Sequence, residues 1–401
     1  MKILHILYQS LPQISGSSIR SRDLLMAQKE IGIEVFAVTS PFQIALRKSE
    51  KINGITYYRT RIKEKTDISD RTKPFIIRLT RLFLIFTFYN HIKKIIKIHN
   101  PDVLHAHAMF FCGLPALILS IKHKIPMVYE FRSLWMLKKE NNLKSYFNRF
   151  IEKLLFKIEL FVMKRADCVI AINDNLREVL INSGIDKQKV KVVHNAINTT
   201  LIDQLKESHK EITTSRENLN FGYIGTLTPH EGLDLLIKAF SQYNFEFPNS
   251  CLFIYGNGIE ESRIKELCKT NDKIFFMGSI DPSRVYEAFS SIDIIVNPRY
   301  KNNLTDSITP LKPLEAMAYE KLFIGSDVGG IKELVTDKLN GYLFTAGDAN
   351  KLVETMRYVS CLDSEEVNKI KEEALNYVTT EKSWLANSKL YYKFYQNLLD
   401  G

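Results

Sequence analysis

A chain of 401 residues is too long for one ordinary hydrophobic core and suits two domains. Its composition, 45% hydrophobic and 25% charged, is typical of soluble globular proteins, and no stretch approaches the roughly 20 consecutive apolar residues of a membrane span. The net charge of +10 predicts an anionic partner: a nucleotide, a phospholipid surface or a nucleic acid.

The cysteines are odd in number and widely scattered, and the chain contains no CxxC motif or local cluster of cysteine and histidine. We therefore expect neither a zinc site nor a disulfide framework, and we expect the reducing cytosol as the compartment. The first residues, 1–8, indicate a first strand and not a signal peptide. The cysteines are Cys112, Cys168, Cys251, Cys268 and Cys361.

A loop rich in small residues follows the first strand, and a helix is predicted over 18–31. Gly16 in this loop would let the backbone approach a ligand closely. Ser17 could cap the helix and offer N–H groups to a phosphate. The same residues also suit a plain turn between a strand and a helix, and the loop is not a GxGxxG motif.

The segment 71–99 carries seven Lys and Arg residues and no acidic residue, and its apolar residues fall mostly at helical spacing. A basic, aromatic, amphipathic helix can lie on an anionic membrane surface. The same pattern also fits a long helix that packs on the core with a basic solvent face, and the sequence leaves both interpretations open.

Polar residues follow two predicted strands in the N-terminal half. His107 ends the strand 101–107, and Glu130 and Arg132 lie where the strand 126–130 passes into a loop. Ligands bind at the carboxyl ends of strands in open parallel sheets, so these residues are candidates for a site. A structural role for His107 is an equally good interpretation.

The alternation of strands and helices restarts after a polar stretch, and it predicts two successive domains that face a central cleft. We expect an N-terminal domain over 1–198, a connection over 199–217, and a C-terminal domain over 218–380. A final helix over 381–401 has no strand after it, and we expect it to pack back on the N-terminal domain and to brace both domains.

The stretch 297–318 is the strongest local signal in the C-terminal half. A short apolar strand over 292–296 leads into a polar loop over 300–307 and then into a helix start that carries Lys312 and Glu315. A lysine beside a helix N-terminus can bind a phosphate, and a carboxylate one turn later can accept hydrogen bonds from hydroxyls. An ordinary strand–helix unit with a solvated Lys and Glu is the competing interpretation.

Taken together, these features resemble the retaining, family-4 glycosyltransferases of the GT-B fold over nearly the whole chain. The arrangement around 297–318 looks most like bacterial members that build exopolysaccharide or other surface glycans. The resemblance is carried by Gly16, DVLHAH (102–107), YIGTLTPHEGLDLLIKAF (223–240), LEAMA (314–318), SDVGG (326–330) and NGYLF (340–344).

The resemblance implies an α/β protein of two Rossmann-like domains that moves a sugar from a nucleoside diphosphate sugar to an acceptor hydroxyl, with retained anomeric configuration. We expect no metal, since no carboxylate cluster such as DxD lies at a predicted strand end, and no cofactor beyond the donor substrate. The expected acceptor is a glycan or lipid-linked precursor. The expected location is the cytoplasm, at the inner face of the cell membrane if 71–99 contacts lipid.

Residue roles follow from the same resemblance. Glu315 corresponds to the carboxylate that holds the ribose hydroxyls, and His107 to the histidine near the transferred sugar. Gly16 and Ser17 correspond to the loop over the diphosphate. We also assign as donor-binding residues Gly225, Thr226, Gly256, Asn257, Gly258, Arg299, Thr309, Lys312 and Leu314, and as acceptor-side residues Arg20, Glu130 and Arg132.

The chain departs from the family pattern in its acidic motif. The family spaces two glutamates as E-x7-E, but Ser307 stands where the first of them is expected before Glu315. Asp306 lies one position earlier, which makes the motif D-x8-E. We therefore assign Asp306, with His107 and Lys312, as the candidate catalytic residues.

The chain also lacks the usual cationic pair after the first strand of the C-terminal domain. Thr226 and Glu231 occupy those two positions. A diphosphate needs counter-charge, and a helix N-terminus supplies only about 0.3–2 kcal/mol. We therefore hypothesise that Lys312 and Arg299 replace the missing pair.

The missing pair also keeps other functions open. A nucleotide-sugar epimerase or a phosphorylase could use the same fold, and a catalytically degenerate partner subunit would tolerate the altered motif. Nucleic-acid binding would fit the net charge, but the sequence contains no known nucleic-acid module, so we do not expect a nucleic-acid partner.

Overall fold

The computed structural model describes residues 1–13, 15–43, 45–61, 75–132, 146–198, 218–281 and 284–400, with the backbone alone for 75–82 and 146–152. The chain divides into unit 1, formed by Met1–His194 with Trp384–Gly401, and unit 2, formed by Asn195–Ser383. The predicted connection 199–217 and the start of the basic segment, 71–74, lie outside the described residues.

Each unit contains one largely parallel sheet. The sheet of unit 1 has the order β3-β4-β2-β1-β5-β6-β7-β8, and only the pair β3–β4 is antiparallel. Its strands are β1 (Lys2–Leu7), β2 (Glu34–Thr39), β3 (Ser49–Ile52), β4 (Ile55–Arg59), β5 (Val103–His107), β6 (Met127–Phe131), β7 (Cys168–Ala171) and β8 (Val190–Val192).

The sheet of unit 2 has the order β11-β10-β9-β12-β13-β14 and is parallel throughout. Its strands are β9 (Asn220–Ile224), β10 (Cys251–Tyr255), β11 (Ile274–Gly278), β12 (Ile294–Asn297), β13 (Leu322–Ser326) and β14 (Tyr342–Phe344). Adjacent residues of β12 point to opposite faces, so Ile294 and Ile295 enter two different hydrophobic clusters, one on each face.

Helices connect the strands. Those described are α1 (Gly16–Glu30), α2 (Phe75–His99), α3 (Phe110–His123), α4 (Tyr146–Arg165), α5 (Asp174–Asn182), α6 (Leu233–Asn244), α7 (Glu261–Cys268), α8 (Val285–Ser290), α9 (Asn303–Ser307), α10 (Lys312–Ala318), α11 (Gly329–Lys332), α12 (Ala349–Ser360), α13 (Ser364–Thr380) and α14 (Trp384–Asp400). Among the described residues, no helix is both long and apolar enough to span a bilayer.

Two local predictions need correction. The helix α1 is capped by Ser15 and not by Ser17, because Ser15 and Ser18 exchange hydrogen bonds in a capping box. The predicted polar loop 300–307 contains the short helix α9, because Asn302 caps its first turn through the backbone N–H of Thr305. Capping partners three residues apart can start a helix even where apolar periodicity is absent.

The C-terminal helix α14 belongs to unit 1, where it packs against α1. Two tyrosines on its inner face, Tyr391 and Tyr395, are completely buried. Helix α2 also belongs to unit 1, and Phe88, Ile92 and Ile95 face the core from it. The core-packing interpretation of the basic segment therefore holds for one face of the helix.

Candidate functional site

The two cations predicted to hold a diphosphate converge on one carboxylate in unit 2. Lys312 Nζ donates a hydrogen bond to Glu231 Oε2 at 2.6 Å, and Arg299 Nη2 donates one to Glu231 Oε1 at 2.8 Å. All three side chains are at least 87% buried. Glu231 therefore holds both cations in fixed positions and neutralises one of their two charges.

The neighbouring strands β9 and β12 bring these residues together. Glu231 ends a 3-10 turn, Pro229–Glu231, in the connection after β9, and Arg299 follows β12. Lys312 opens helix α10. Since β9 pairs with β12 in parallel, both of their carboxyl ends lie at the same edge of the sheet.

Two further side chains that the sequence analysis did not single out complete this cluster. Tyr223 OH accepts a hydrogen bond from Lys312 Nζ at 2.9 Å, and the ammonium lies 4.5 Å from the centre of the Tyr223 ring. Asn297 Nδ2 donates to Glu231 Oε2 at 3.0 Å. Tyr223 lies near the end of β9, and Asn297 is the last residue of β12. The sequence offers one signal for them, which is that both lie near the carboxyl ends of predicted strands.

The electrostatics of the cluster favour an ionised carboxylate. Burial by itself raises the pKa of the Glu231 carboxyl, but Lys312 and Arg299 outweigh burial and hold this pKa well below its ordinary value. Burial lowers the pKa of Lys312, an effect that Glu231 opposes. The ionised pair is thus mutually stabilised.

Glu315 lies one helical turn after Lys312 and is only partly buried. Burial raises the pKa of the Glu315 carboxyl, and the positive charge of Lys312 offsets part of that rise. Within the described part of the chain, the Glu315 side chain has no hydrogen-bond partner. A partly buried carboxylate without a partner is suited to accept hydrogen bonds from ligand hydroxyls.

The glycines predicted to approach a donor are required by packing inside unit 2. A Cβ on Gly225 would lie 2.3 Å from Lys312 Cε, so this glycine makes room for the lysine. A Cβ on Gly256 would lie 1.8 Å from the Gly225 carbonyl oxygen. The loops that contain them are also joined by Leu227 N–H, which donates to the Asn257 carbonyl at 2.9 Å.

The remaining predicted donor-binding residues of these two loops are accessible to solvent. Thr226, Asn257 and Gly258 are exposed. The Thr226 carbonyl accepts a hydrogen bond from Tyr223 OH at 2.8 Å, so this turn is tied to the cation cluster.

Asp306 and two other predicted residues make contacts inside unit 2. Asp306 Oδ1 accepts a hydrogen bond from the backbone N–H of Gly329 at 2.7 Å, at the start of α11. Thr309 Oγ1 donates to Glu333 Oε2 at 2.6 Å. Leu314 is fully buried in the core, so its side chain packs and does not reach a ligand.

Unit 1 brings together the predicted residues Arg20, Glu130 and Arg132. Glu130 Oε1 accepts hydrogen bonds from Arg20 Nε at 2.9 Å and from Arg132 Nε at 2.8 Å. Tyr391 OH donates to Glu130 Oε2 at 2.5 Å. Burial alone raises the pKa of the Glu130 carboxyl, but Arg132 and Arg20 hold it well below its ordinary value.

Arg132 also reaches the start of α1. Its Nη1 donates to the carbonyl of Ser17 at 2.9 Å, to Ser17 Oγ at 3.0 Å and to Ser21 Oγ at 2.8 Å. Ser17 and its neighbour Gly16 are exposed. These hydrogen bonds from the buried Arg132 side chain hold the exposed first turn of α1 in place.

His107 is 1% exposed, and both of its ring nitrogens have protein partners. Arg132 Nη2 donates to Nδ1 at 2.5 Å, and His5 Nδ1 lies 2.8 Å from Nε2. The side chain is therefore enclosed and hydrogen-bonded, as in the structural interpretation of this histidine.

Three buried histidines, His5, His105 and His107, form a cluster that the sequence analysis did not foresee. Their ring nitrogens lie within 4.8 Å of one another, close enough for a metal ion. The His5 and His107 nitrogens already bind each other, and the Arg132 guanidinium adds positive charge at His107. The cluster is therefore better suited to a hydrogen-bond network than to a cation. Residues separated by 102 positions in the chain meet here through the pairing of β1 and β5, which local spacing cannot show.

Comparison with known families matches both units. The family described as "Glycosyltransferase Family 4" matches residues 14–201, and the family described as "Glycosyl transferases group 1" matches residues 205–377. The chain is also 26% identical over 297 residues to an uncharacterized 41.2 kDa protein in the cps region of Klebsiella pneumoniae, a match that covers 71% of this chain and 75% of the relative.

Solved structures share the fold over the whole chain. Sucrose-phosphate synthase from Thermosynechococcus elongatus superposes with a TM-score of 0.74 at 18% identity, covering 100% of this chain and 99% of that chain. HepE from Anabaena, crystallised in complex with UDP, superposes with a TM-score of 0.70 at 16% identity, covering 99% of this chain and 100% of that chain.

Proposed function

Because the chain belongs to the GT-B glycosyltransferases of family 4, we propose that it transfers a sugar from a nucleoside diphosphate sugar to an acceptor hydroxyl, with retention of the anomeric configuration. UDP-sugars are the first donors to test, because the structural neighbour HepE was crystallised with UDP and with UDP-glucose. The proposal includes no metal ion and no cofactor.

One observation carries this proposal: the convergence of Lys312 and Arg299 on Glu231, with Glu315 one turn further along α10. An ammonium has three N–H groups, and Lys312 donates two of them, to Glu231 and Tyr223. The third has no partner within the described ranges. Arg299 Nε is buried and also lacks a partner there. The cluster thus offers positive donors for phosphate oxygens, and Glu315 offers an acceptor for ribose hydroxyls.

In the proposed reaction, the bond between the anomeric carbon and the phosphate oxygen breaks, and its electron pair leaves with the diphosphate. Positive charge develops on the sugar ring while Lys312 and Arg299 stabilise the negative charge of the leaving diphosphate. The acceptor oxygen bonds to the anomeric carbon on the face that the phosphate left. Its proton passes to the departing phosphate oxygen.

The direct test is incubation of the full chain with UDP-sugars and a lipid-linked acceptor, in the presence of a chelator. Mass spectrometry of the acceptor and NMR of the new linkage would show transfer and its anomeric configuration. A free epimer of the donor sugar would identify an epimerase, and a sugar phosphate formed from a glycan and inorganic phosphate would identify a phosphorylase. Either result without transfer would overturn the proposal.

Substituting Glu315→Gln is expected to weaken UDP binding by about tenfold or more, because a hydrogen bond to a charged group contributes about 1.5–3 kcal/mol. Calorimetry measures the UDP affinity. For the wild type, UDP at 100 times its dissociation constant should raise the free energy of unfolding by about 2.7 kcal/mol.

Two controls sharpen this measurement. Pyrophosphate, which has no ribose, should bind the Glu315→Gln variant no more weakly than the wild type, since the substitution removes only a negative charge near the phosphate site. Glu261→Gln removes one charge at an exposed site of the same unit and should leave UDP binding unchanged. Equal UDP affinity in the wild type and Glu315→Gln would contradict the ribose role.

We further propose that the acceptor is a lipid-linked or surface-glycan precursor, reached by peripheral contact with the inner face of the cell membrane. The support is an exposed apolar and basic surface on α2 and its neighbours in unit 1. Phe83 and Phe86 on α2 are each 68% exposed, and Ile121 on the adjoining α3 is 64% exposed. Lys94 and Lys97 on α2 are also exposed. Such a face is complementary to anionic lipid headgroups above an apolar layer.

Replacing Lys93, Lys94 and Lys97 by glutamine is expected to reduce binding to anionic vesicles by about a hundredfold, since each lysine near such a surface contributes about 1 kcal/mol. Sedimentation with phosphatidylserine-containing vesicles measures this loss. The same triple substitution at Lys238, Lys265 and Lys332 in unit 2 is the charge-matched control. Unchanged sedimentation of the α2 variant would leave α2 as a core helix with a solvated basic face.

A further inference from the structure

A continuous path of polar side chains runs through the core of unit 1 and returns to its starting point. It connects strands β1, β5 and β6 with α1 and with the C-terminal helix α14, and each member is at most 9% exposed. We call this path the histidine circuit. Its members, in order, are Arg132, His107, His5, Gln28, Tyr395, His105 and Glu130.

The direction of the hydrogen bonds follows first from Arg132, because a guanidinium can only donate. Arg132 Nη2 donates to His107 Nδ1, so a neutral His107 carries its proton on Nε2. That N–H donates to His5 Nδ1 at 2.8 Å, which places the proton of His5 on its own Nε2. His5 Nε2 then donates to Gln28 Oε1 at 2.8 Å.

The direction follows independently from Glu130, because an ionised carboxylate can only accept. His105 Nε2 lies 3.4 Å from Glu130 Oε2, an ion-pair contact without hydrogen-bond geometry, and a bare ring nitrogen there would be repelled by the carboxylate. The proton of His105 is therefore on Nε2, and its bare Nδ1 accepts from Tyr395 OH at 2.7 Å. Tyr395 OH in turn accepts from Gln28 Nε2 at 3.0 Å.

The two derivations meet at Gln28 without conflict and assign the same tautomer to all three histidines. Burial lowers the pKa of His5, His105 and His107 and keeps their rings neutral, as this assignment requires. Each of the three rings accepts a hydrogen bond at Nδ1. If one of these hydrogen bonds ran in the opposite direction, two N–H or O–H donors, or two bare acceptors, would face each other at another link of the path.

We propose that Tyr395, on the C-terminal helix, is a positioning residue that closes the histidine circuit and thereby holds His107 and Arg132 in a single orientation. Arg132 in turn fixes the exposed first turn of α1 through Ser17 and Ser21. The consequence for acceptor binding rests on the proposed function, in which Arg132 lies on the acceptor side. The tautomer assignment itself does not depend on that function.

The test is Tyr395→Phe, which removes one hydroxyl and keeps the ring. His105 Nδ1 then loses its donor and Gln28 Nε2 loses its acceptor. Nitrogen-15 NMR of histidine-labelled protein reports which ring nitrogen carries the proton. We expect three buried Nε2–H tautomers in the wild type and a mixture of tautomers at His105 in the variant.

Kinetics supply the second measurement. Loss of one buried hydrogen bond corresponds to about 0.5–1.5 kcal/mol, so we expect kcat/KM for the acceptor to fall by about threefold to tenfold. Tyr392→Phe, on the outer side of the same helix, is the matched control and should behave as the wild type.

A second variant keeps the test decisive if Tyr395→Phe does not fold. Gln28→Met breaks the same path at the neighbouring position and should also mix the tautomers. Wild-type tautomers in either folded variant, or acceptor kinetics equal to those of Tyr392→Phe, would overturn the proposal. A wild-type protein that transfers no sugar would overturn the proposed function, while the NMR result would still decide whether the circuit exists.

Discussion

Replacing Lys312 with alanine is expected to slow sugar transfer by about tenfold or more, towards the hundredfold to thousandfold loss seen when one donor to a developing negative charge is removed. The reason is geometric. Lys312 has one N–H that is not used by Glu231 or Tyr223, and it lies one turn from the proposed ribose carboxylate. Steady-state kinetics with a UDP-sugar would measure kcat and the donor KM separately.

The same substitution also removes one of the two cations from the buried carboxylate of Glu231, and the resulting loss of stability could itself slow the enzyme. The variant Lys312→Met separates these effects. It keeps the apolar stem of the lysine and removes only the charged end, and Glu231 keeps Arg299 as its counter-ion, so this variant should recover much of the melting temperature lost in Lys312→Ala but none of the rate.

Lys332→Ala serves as the charge-matched control, because this lysine is exposed on α11 of the same unit. Its rate should equal that of the wild type. Wild-type turnover in Lys312→Ala would contradict the phosphate role of Lys312. Recovery of the rate together with stability in Lys312→Met would show that Lys312 serves the fold and not the chemistry.

Replacing Glu130 with glutamine is expected to lower the free energy of unfolding of unit 1 by about 3–5 kcal/mol, because it removes the buried carboxylate charge that the guanidinium groups of Arg20 and Arg132 share. Glu130 is completely buried, and the two arginines are 4% and 9% exposed. Urea unfolding followed by circular dichroism measures the shift in the midpoint.

The matched control is Glu178→Gln, which breaks an ion pair with Arg177 on an exposed face of the same unit. Surface pairs contribute about 0–1 kcal/mol, so this variant should unfold close to the wild type. Equal midpoints for the two variants would show that Glu130 is not a structural counter-ion, and would contradict the ionised state assigned to it.

The free energy of unfolding of unit 1 is expected to decrease as the pH falls, for Glu130 and for the buried histidines alike. The pKa of Glu130 is depressed in the folded state, so its stabilising contribution is present above the ordinary pKa of a glutamate and is lost as the pH falls through the folded value. The pKa values of the three circuit histidines are also depressed. Their contribution is present above about pH 6.5 and is lost as the pH falls below it.

Local patterns in the sequence predicted most of the elements. The strand–helix alternation placed β5, β12 and α10 within a few residues of their bounds, because periodicity and helix-breaking residues act over adjacent positions. Such a pattern can be recognised without knowing which strands are neighbours in the sheet. The helix α9 was missed because its start depends on a side-chain cap and not on apolar periodicity.

Sequence analysis named Lys312, Arg299 and Glu315 as donor-binding residues, but their arrangement was decided by the tertiary structure. Sequence analysis treated Glu231 only as the place where an expected lysine is missing. The pairing of β9 with β12 makes it the carboxylate on which both cations converge. Local spacing cannot predict this contact, since the ion pair joins residues 81 positions apart.

The same contrast between local sequence information and tertiary contacts is clearer in unit 1. The sequence by itself determined that His107 ends a buried strand, because an apolar run and the following turn are local features. Only the tertiary structure decided that His107 is enclosed, since its orientation depends on β1, on β6 and on a tyrosine of the last helix, whose hydroxyl meets His105 across 290 positions of the chain. Hydrogen bonds of this kind form only after the sheet and α14 have packed, so no pattern of neighbouring residues encodes them.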